Sequence, residues 1–252
     1  MPRVHGQSAR IYVNEFNLSG RANNLTLNIG NPAADVTAYE DLAKTAVQGK
    51  STRGWDAAID AWFDPDDDEI DQILWDLINS ASMANPWGFY FDGPQEGGRG
   101  YEGLGGLETD NIRFPLNAAG QLVTAVRGNS GQMIGRSTKI REANVVSAVE
   151  DGNSESILTT VTNNLVISVA RVIAVTGSGS ITVLAEESPD DAVWNPVSGL
   201  TAHPSFTAIG ADFQSVASAA GGEGPFFRHR VSAYSGFTDV TLRTAMAFVE
   251  EI

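Results

Sequence analysis

Between Trp55 and Asp92 the hydrophobic period changes twice, and any fold for this chain must accommodate both changes. Trp55, Ala57, Ile59, Ala61 and Phe63 alternate with Asp56, Ala58, Asp60 and Trp62, the period of a half-buried strand. The acidic run Asp64–Glu69 then switches the period. Asp64 suits a helix cap, Pro65 suits the first helical position, and the following acids face the positive end of the helix dipole. Ile70, Ile73, Leu74, Leu77 and Ile78 recur at helical spacing on one face. Pro86 excludes helical geometry at Asn85, so a helix is predicted within 64–85. Trp87, Phe89 and Phe91 then alternate with Gly88 and Tyr90, which restores strand period. One helix framed by aromatic strands is a helix laid on a sheet.

The rest of the chain reads as strands and turns. Residues 1–10 are expected to form a flexible arm. Strands are expected at Ile11–Phe16 and Leu25–Ile29, with a turn at Asn17–Gly20. Residues 33–54 read as a long loop or an extended hairpin that becomes ordered against another subunit, with Ala46–Gln48 opening the strand that runs to Phe63. A glycine-rich loop is expected from Gly93 to Gly106, then strands at Ile112–Leu116, Gln121–Val126 and Lys139–Val149. Asp151–Ser156 reads as a linker. Beyond it lie Leu165–Thr176, a Gly177–Ser180 turn, Ile181–Ala185, Phe206–Ile209, Phe213–Ala217, Phe226–Tyr234 and Val240–Val249, the spacing of a small sandwich. The expected fold class is therefore mainly β: a sandwich or barrel with one flanking α-helix over 1–152, and a second small all-β sandwich over 153–252. A chain of 252 residues with 42% hydrophobic content is long and apolar enough for both.

Composition narrows the function. The formal charge, 16 − 31 = −15, disfavours broad phosphate neutralisation and hence ordinary nucleic-acid binding. The absence of cysteine excludes disulfides and thiolate metal sites. Met1–Arg10 lacks the apolar core of a signal peptide, and the most apolar run, Leu165–Val175, is too short to span a bilayer and contains Ser168 and Arg171. A soluble chain with no membrane partner is expected.

Chemical motifs are weak. Gly49-Lys50-Ser51-Thr52 resembles the end of a phosphate loop, but Lys44 stands where the first glycine belongs and a strand follows. Gly98, Gly100 and Gly103 match G-x-G-x-x-G without a β-α-β unit around them. Asp64, Asp66 and Asp68 mimic a calcium loop whose sixth and twelfth positions are Glu69 and Trp75. His5, His203 and His229 show no metal-ligand spacing, and no strained G-x-S-x-G elbow is present, although a Ser-His-Asp site assembles in space and is not visible in spacing. Asp190 and Asp191 before Trp194 read as a satisfied turn, with a carbohydrate platform as the rival. No catalytic, cofactor-binding or metal-binding residue is assigned, and no enzyme activity is expected.

Residues 11–127 resemble the tail tube, or major tail, proteins of long-tailed bacteriophages. The resemblance is carried by Asn24-Leu25-Thr26-Leu27, Asp35-Val36-Thr37-Ala38-Tyr39, Gly49-Lys50 and the alternating strand from Trp55 to Phe63, followed by an Asp-rich turn, one helix and an aromatic strand. Glu40 departs from the family, where glycine follows the aromatic residue. Glu187–Asp191 before Trp194, with Phe206 and Phe227–Val231, is similar to β-domains fused to phage tail proteins, with Ala192 replacing a glycine. The resemblance implies a structural virion protein made in the host bacterial cytoplasm. It would self-assemble into hexameric rings stacked as a tube, meet tape measure and terminator proteins, and pass DNA at ejection without binding it specifically. The arm and the 33–54 loop would reach neighbouring rings, and residues 153–252 would sit outside the tube. The alternative is a virion decoration or adhesion protein with a carbohydrate-binding β-domain.

Overall fold

A computed structural model describes residues 9–20, 22–30, 33–35, 46–48, 54–63, 70–80, 84–93, 95–113, 120–128, 134–157, 164–217 and 225–250. In chain order the elements are β1 (Arg10–Val13), β2 (Phe16–Asn17), β3 (Ala22–Gly30), β4 (Ala33–Asp35), β5 (Ala46–Gln48), β6 (Gly54–Trp62), α1 (Ile70–Ser80), β7 (Asn85–Tyr90), β8 (Arg99–Arg113), β9 (Gln121–Gly128), β10 (Gly135–Val146), β11 (Ser154–Ser156), β12 (Asn164–Ser188), β13 (Asn195–Pro196), β14 (Gly210–Ala217) and β15 (Phe226–Glu250). The described chain is thus mainly β with one helix, as the sequence predicts. It forms two compact units: unit 1 from 1–20, 86–102 and 135–250, and unit 2 from 21–85 and 103–134 with the last two residues. The units do not divide at 152–153. Asp151–Ser156 is no linker, because Ser154–Ser156 pair with Phe226–Arg228 of β15 and Glu150 bridges Val231.

Unit 2 is an antiparallel sheet in the order β3-β6-β9-β8. In β6 the residues Trp55, Ala57, Ile59 and Ala61 are buried and Trp62 is half-exposed, which is the alternation its sequence dictates. Helix α1 buries Ile70, Ile73, Leu74 and Leu77. The acidic segment expected to cap it, Asp64–Glu69, lies outside the described residues, as do 81–83, so the described helix is shorter than 64–85. Within 33–54, β4 and β5 pair from Ala33↔Gln48 to Asp35↔Ala46; residues 36–45 and 49–53, on which the long loop or extended hairpin and the continuation of Ala46–Gln48 toward Phe63 turn, lie outside the described residues. Asp35–Tyr39 falls outside the described residues after Asp35.

The glycine-rich loop expected at 93–106 is from Arg99 onward a strand continuous with the one expected at 112–116. The physical reason is Trp55. Its buried indole lies on Gly105 and Gly128: a Cβ at Gly105 would approach its ring to 2.7 Å, and one at Gly128 would overlap it. Glycine is here a clearance for a large side chain rather than a source of flexibility.

Unit 1 is built on two 25-residue strands, β12 and β15, paired antiparallel from Asn164↔Glu250 to Ser188↔Phe226. The expected turn at 177–180 does not reverse the chain. Gly177 (φ 89°) and Gly236 (φ 80°) take the left-handed conformation while the register shifts around Gly177, so the ladder bends without breaking. The bend brings its halves face to face: Ala170 and Val172 from one half share a core with Ile181, Val183 and Val231 from the other, and Val166 shares one with Ala185 and Phe227. A two-layer sandwich results from one bent hairpin, which replaces the four separate strands predicted over 165–185 and 226–249. β14 and β13 pair with the free side of β12, and β10 and β11 with that of β15. Beyond β10 the order runs β8-β7-β1-β2. The single strand expected at 11–16 is instead a hairpin, β1–β2, turning at Asn14 with φ 48°.

Two substitutions test this packing. Gly128→Ala is expected to destabilise unit 2 by about 1–3 kcal/mol, the usual cost of overpacking, with a red shift of tryptophan emission in urea titrations. Leu74→Asp is expected to prevent folding, because the side chain is fully buried and an isolated carboxylate there has no partner; recovery of soluble protein with a native circular dichroism spectrum would contradict this.

Candidate functional site

Three features stand out from scaffold packing. The first is the outer face and edges of the unit 2 sheet. Asp56, Ala58, Asp60 and Trp62 point away from the buried face of β6. Cross-strand hydrogen bonds tie Asn28 Nδ2 to Asp56 (2.8 Å) and Asn24 Nδ2 to Asp60 (3.0 Å), and Arg127 pairs with Glu108 at 3.3 Å. Among the side chains described, the charged groups of these pairs are Asp56, Asp60, Glu108 and Arg127. The Asn–Asp pairs also fix the β3–β6 register, as opposite partners on one sheet face do. Among the described residues β3 has a strand on one side only, and so does the Thr109–Arg113 end of β8. Each row of unpaired backbone groups is a template for another strand. On the buried side Asp110 accepts from Thr124 Oγ1 (2.9 Å). Burial raises its carboxyl above the usual range against that hydrogen bond, with Asp71 of α1 adding to the rise.

The second feature is a buried ionic centre in unit 1. Arg171 makes a bidentate pair with Glu102 (2.9 and 2.7 Å), both fully buried, and Tyr90 Oη donates to the same carboxylate at 2.8 Å. Gly88 leaves the room, since a Cβ there would sit 2.6 Å from Glu102 Oε1. The Tyr12 ring lies under the Arg243 guanidinium, 3.9 Å from its centroid, and 6.0 Å from that of Arg171. Glu142 then collects the Tyr12 hydroxyl (3.1 Å), Arg243 Nη2 (3.0 Å) and Lys139 Nζ (3.2 Å), and Lys139 also donates to Gly93 O at 2.6 Å. Burial pushes the hydroxyls of Tyr12 and Tyr90 above the ordinary tyrosine range. It lowers the Lys139 ammonium, with Glu142 opposing. Every carboxylate here has cationic partners, so the arrangement locks β1, β7, β8, β10, β12 and β15 in place rather than leaving a reactive group free.

The third is a hydrogen-bonded chain through the core of the unit 1 sandwich. Ser168 Oγ lies 2.8 Å from His203 Nε2 and 2.8 Å from His229 Nε2, and His203 Nδ1 lies 2.6 Å from Asp212 Oδ2. Ser168, His203 and Asp212 thus reproduce the connectivity of a nucleophile, base and orienting acid. Ser168 is only 1% exposed and lies in the middle of β12 with strands paired on both sides, so an acyl substrate cannot reach Oγ. The sequence leaves these residues far apart. The one signal is the period of β15, which puts His229 in phase with Phe227 and Val231 and hence inside.

The remaining motifs resolve simply. Gly100 and Gly103 are strand residues of β8, while Gly49–Thr52, Asp64–Asp68 and His5 lie outside the described residues. Asp190 accepts from the backbone N–H groups of Ala192 and Val193 and from Ser188, a satisfied turn whose hydrogen bonds hold its carboxyl below the usual range. Arg228 covers one face of the Trp194 ring at 4.4 Å, so that face is not free to stack on a sugar. Among the described residues no helix is long and apolar enough to cross a membrane.

Comparison with protein-family models gives no match, and neither does comparison with curated proteins. Solved structures with some similarity in shape include a chain of the virion of a native gene transfer agent particle, at 12% identity and TM-score 0.38, covering 52% of this chain and 98% of that one. The SPP1 Dit protein, described as a hub of the adsorption apparatus in phages infecting Gram-positive hosts, matches at 10% identity and TM-score 0.32, over 96% of this chain and 98% of its own. A chain of the phage p2 baseplate matches at 8% identity and TM-score 0.29, over 94% and 97%.

The ionic centre yields a direct test. Arg171→Met is expected to cost about 3–5 kcal/mol by stranding Glu102 in the core, and Glu102→Gln in the same chain is expected to recover much of the loss. Urea denaturation of the single and double variants measures both.

Proposed function

We propose that this protein is a ring-forming structural subunit of a bacteriophage tail, in its finer form a tail tube subunit that closes into hexamers and stacks into a conduit for DNA. The observation that carries the reading is the unit 2 sheet: four antiparallel strands that, among the described residues, are open at β3 and at the Thr109–Arg113 end of β8, with Asp56 and Asp60 on the face away from the buried one. Edge-to-edge pairing between copies is a head-to-tail contact, and such contacts close into a ring when the rotation allows it. An acidic wall offers phosphates no counter-charge, so DNA would slide along it without adhering. The resemblance of residues 11–127 to tail tube proteins supports the same reading. In this reading the segment 33–54, whose strands 33–35 and 46–48 pair, would be the one to reach a neighbouring ring. Tape measure and terminator proteins are then the natural partners, and residues 153–252 would lie on the tube exterior.

Electron microscopy of the purified chain is expected to show rings or tubes, and labelled virions are expected to show the protein along the whole tail. A strictly monomeric protein at high concentration that is also absent from tails would overturn the reading. Label confined to the tail tip would keep the ring and reject the tube. Thr26→Lys with Ile112→Lys, which places charge on both edge strands, is expected to suppress assembly while leaving the monomer's Tm within a few degrees; sedimentation velocity and calorimetry separate the two effects.

A further inference from the structure

The hydrogen-bonded chain in the sandwich core has a proton count that geometry alone constrains. A hydroxyl donates one proton, yet Ser168 Oγ meets two imidazole nitrogens, so one of them must be the donor. With His203 neutral and its Nδ1–H directed at Asp212, Nε2 of His203 accepts from Ser168 and Nε2 of His229 donates to it. His229 Nδ1 is then bare, fully buried and without a partner among the described residues. A proton added at His203 is neutralised by Asp212. A proton added at His229 is not. The groups around it are Ser168 from β12, Arg141 from β10, His203 from the segment between β13 and β14, and Asp212 from β14, which is engaged by His203. Glu150 and Asp151 are engaged by Arg141 and by Arg228 and Arg230.

The same chain joins the two layers. Ser168 belongs to the 164–176 half of the bent ladder and His229 to the 226–235 half, while His203 donates its backbone N–H to Val183 O at 2.8 Å. We propose that Asp212–His203–Ser168–His229 is an acid-released latch: it holds the sandwich layers and the 197–217 segment together while His229 is neutral, and it opens when His229 is protonated. Burial, followed by His203 and Arg141, holds the His229 imidazole well below the usual histidine range, in keeping with this geometry. The sign follows from linkage. A base depressed in the folded state is protonated preferentially in the open or unfolded state, so the latch is closed at neutral pH and loses stability as pH falls below the ordinary histidine value of about 6.5. Asp212 acts in the same direction: burial alone would raise its carboxyl, but the hydrogen bonds from His203, Gln214 and the Phe213 backbone hold it low, and its contribution is lost at still lower pH.

The test compares the full chain with His229→Gln, which keeps a donor toward Ser168 and cannot be protonated. Between pH 7.5 and pH 5 the unfolding constant of the wild type is expected to rise about 30-fold more than that of H229Q, the factor set by one histidine titrating near 6.5 only when open. Amide exchange over 197–217 is expected to accelerate in that window in the wild type alone. Equal acid sensitivity in the two proteins overturns the latch. Should H229Q not fold, imidazole nitrogen NMR of the wild type decides: a neutral Nε2–H His229 persisting to pH 5 supports it, and ordinary titration of His229 in the folded protein overturns it.

Discussion

Unit 1 depends on the pairing of β12 with β15 and on the bend in that pairing. A straight ladder of 25 residues would be a ribbon about 80 Å long at the usual rise per residue, with neither face buried. Positive φ at Gly177 and Gly236 folds the ribbon onto itself, so the alternation of each strand fills one shared interior. β10, β11, β13 and β14 add to edges that this hairpin already provides. The core is therefore specified by where two glycines interrupt the register as much as by how many apolar residues the strands carry.

Charge is used differently in the two units. In unit 2 Asp56 and Asp60 lie on the face away from the buried one, paired with asparagines across strands. In unit 1, Glu102, Arg171, Lys139 and Arg141 are buried, a placement that costs desolvation and is offset by pairing and hydrogen bonds. The result is positional. Arg171 accepts no geometry other than the fork to Glu102, and the Tyr12 and Tyr90 rings are held by the same ions. Burial draws the Arg171 guanidinium down, but Glu102, with Tyr90 and Tyr12 adding, more than offsets it.

Local patterns in the sequence were readable where one neighbour decides the structure. Strict alternation from Trp55 to Trp62 and helical spacing from Ile70 to Leu77 each report a single buried face, and both elements occur as predicted. The misreadings share a cause. Glycine reads as loop at 93–106 and as turn at 177–180, but its meaning there is set by remote partners, the Trp55 ring and the Ser235–Gly236 backbone. Ser168, His203, Asp212 and His229 form one chain of hydrogen bonds, yet no local period joins them, and only the inward phase of His229 hinted at it. Arg171 carried a clearer hint: a charge in the middle of an apolar run requires a partner.

The order of the segments along the chain has a consequence for synthesis. All described elements of unit 2 exist once residue 134 has been made, whereas β10, β11 and β12 of unit 1 wait for β15, the last strand of the chain. The interval is 250 − 134 = 116 residues, or roughly 6–23 s at bacterial and eukaryotic elongation rates of about 5–20 residues per second. For that time the nascent chain carries a complete sheet followed by apolar strands whose partner does not yet exist. Whatever the unit 2 sheet meets in that interval, it meets before the unit 1 sandwich exists, so the timing of β15 sets how long the chain stands half built.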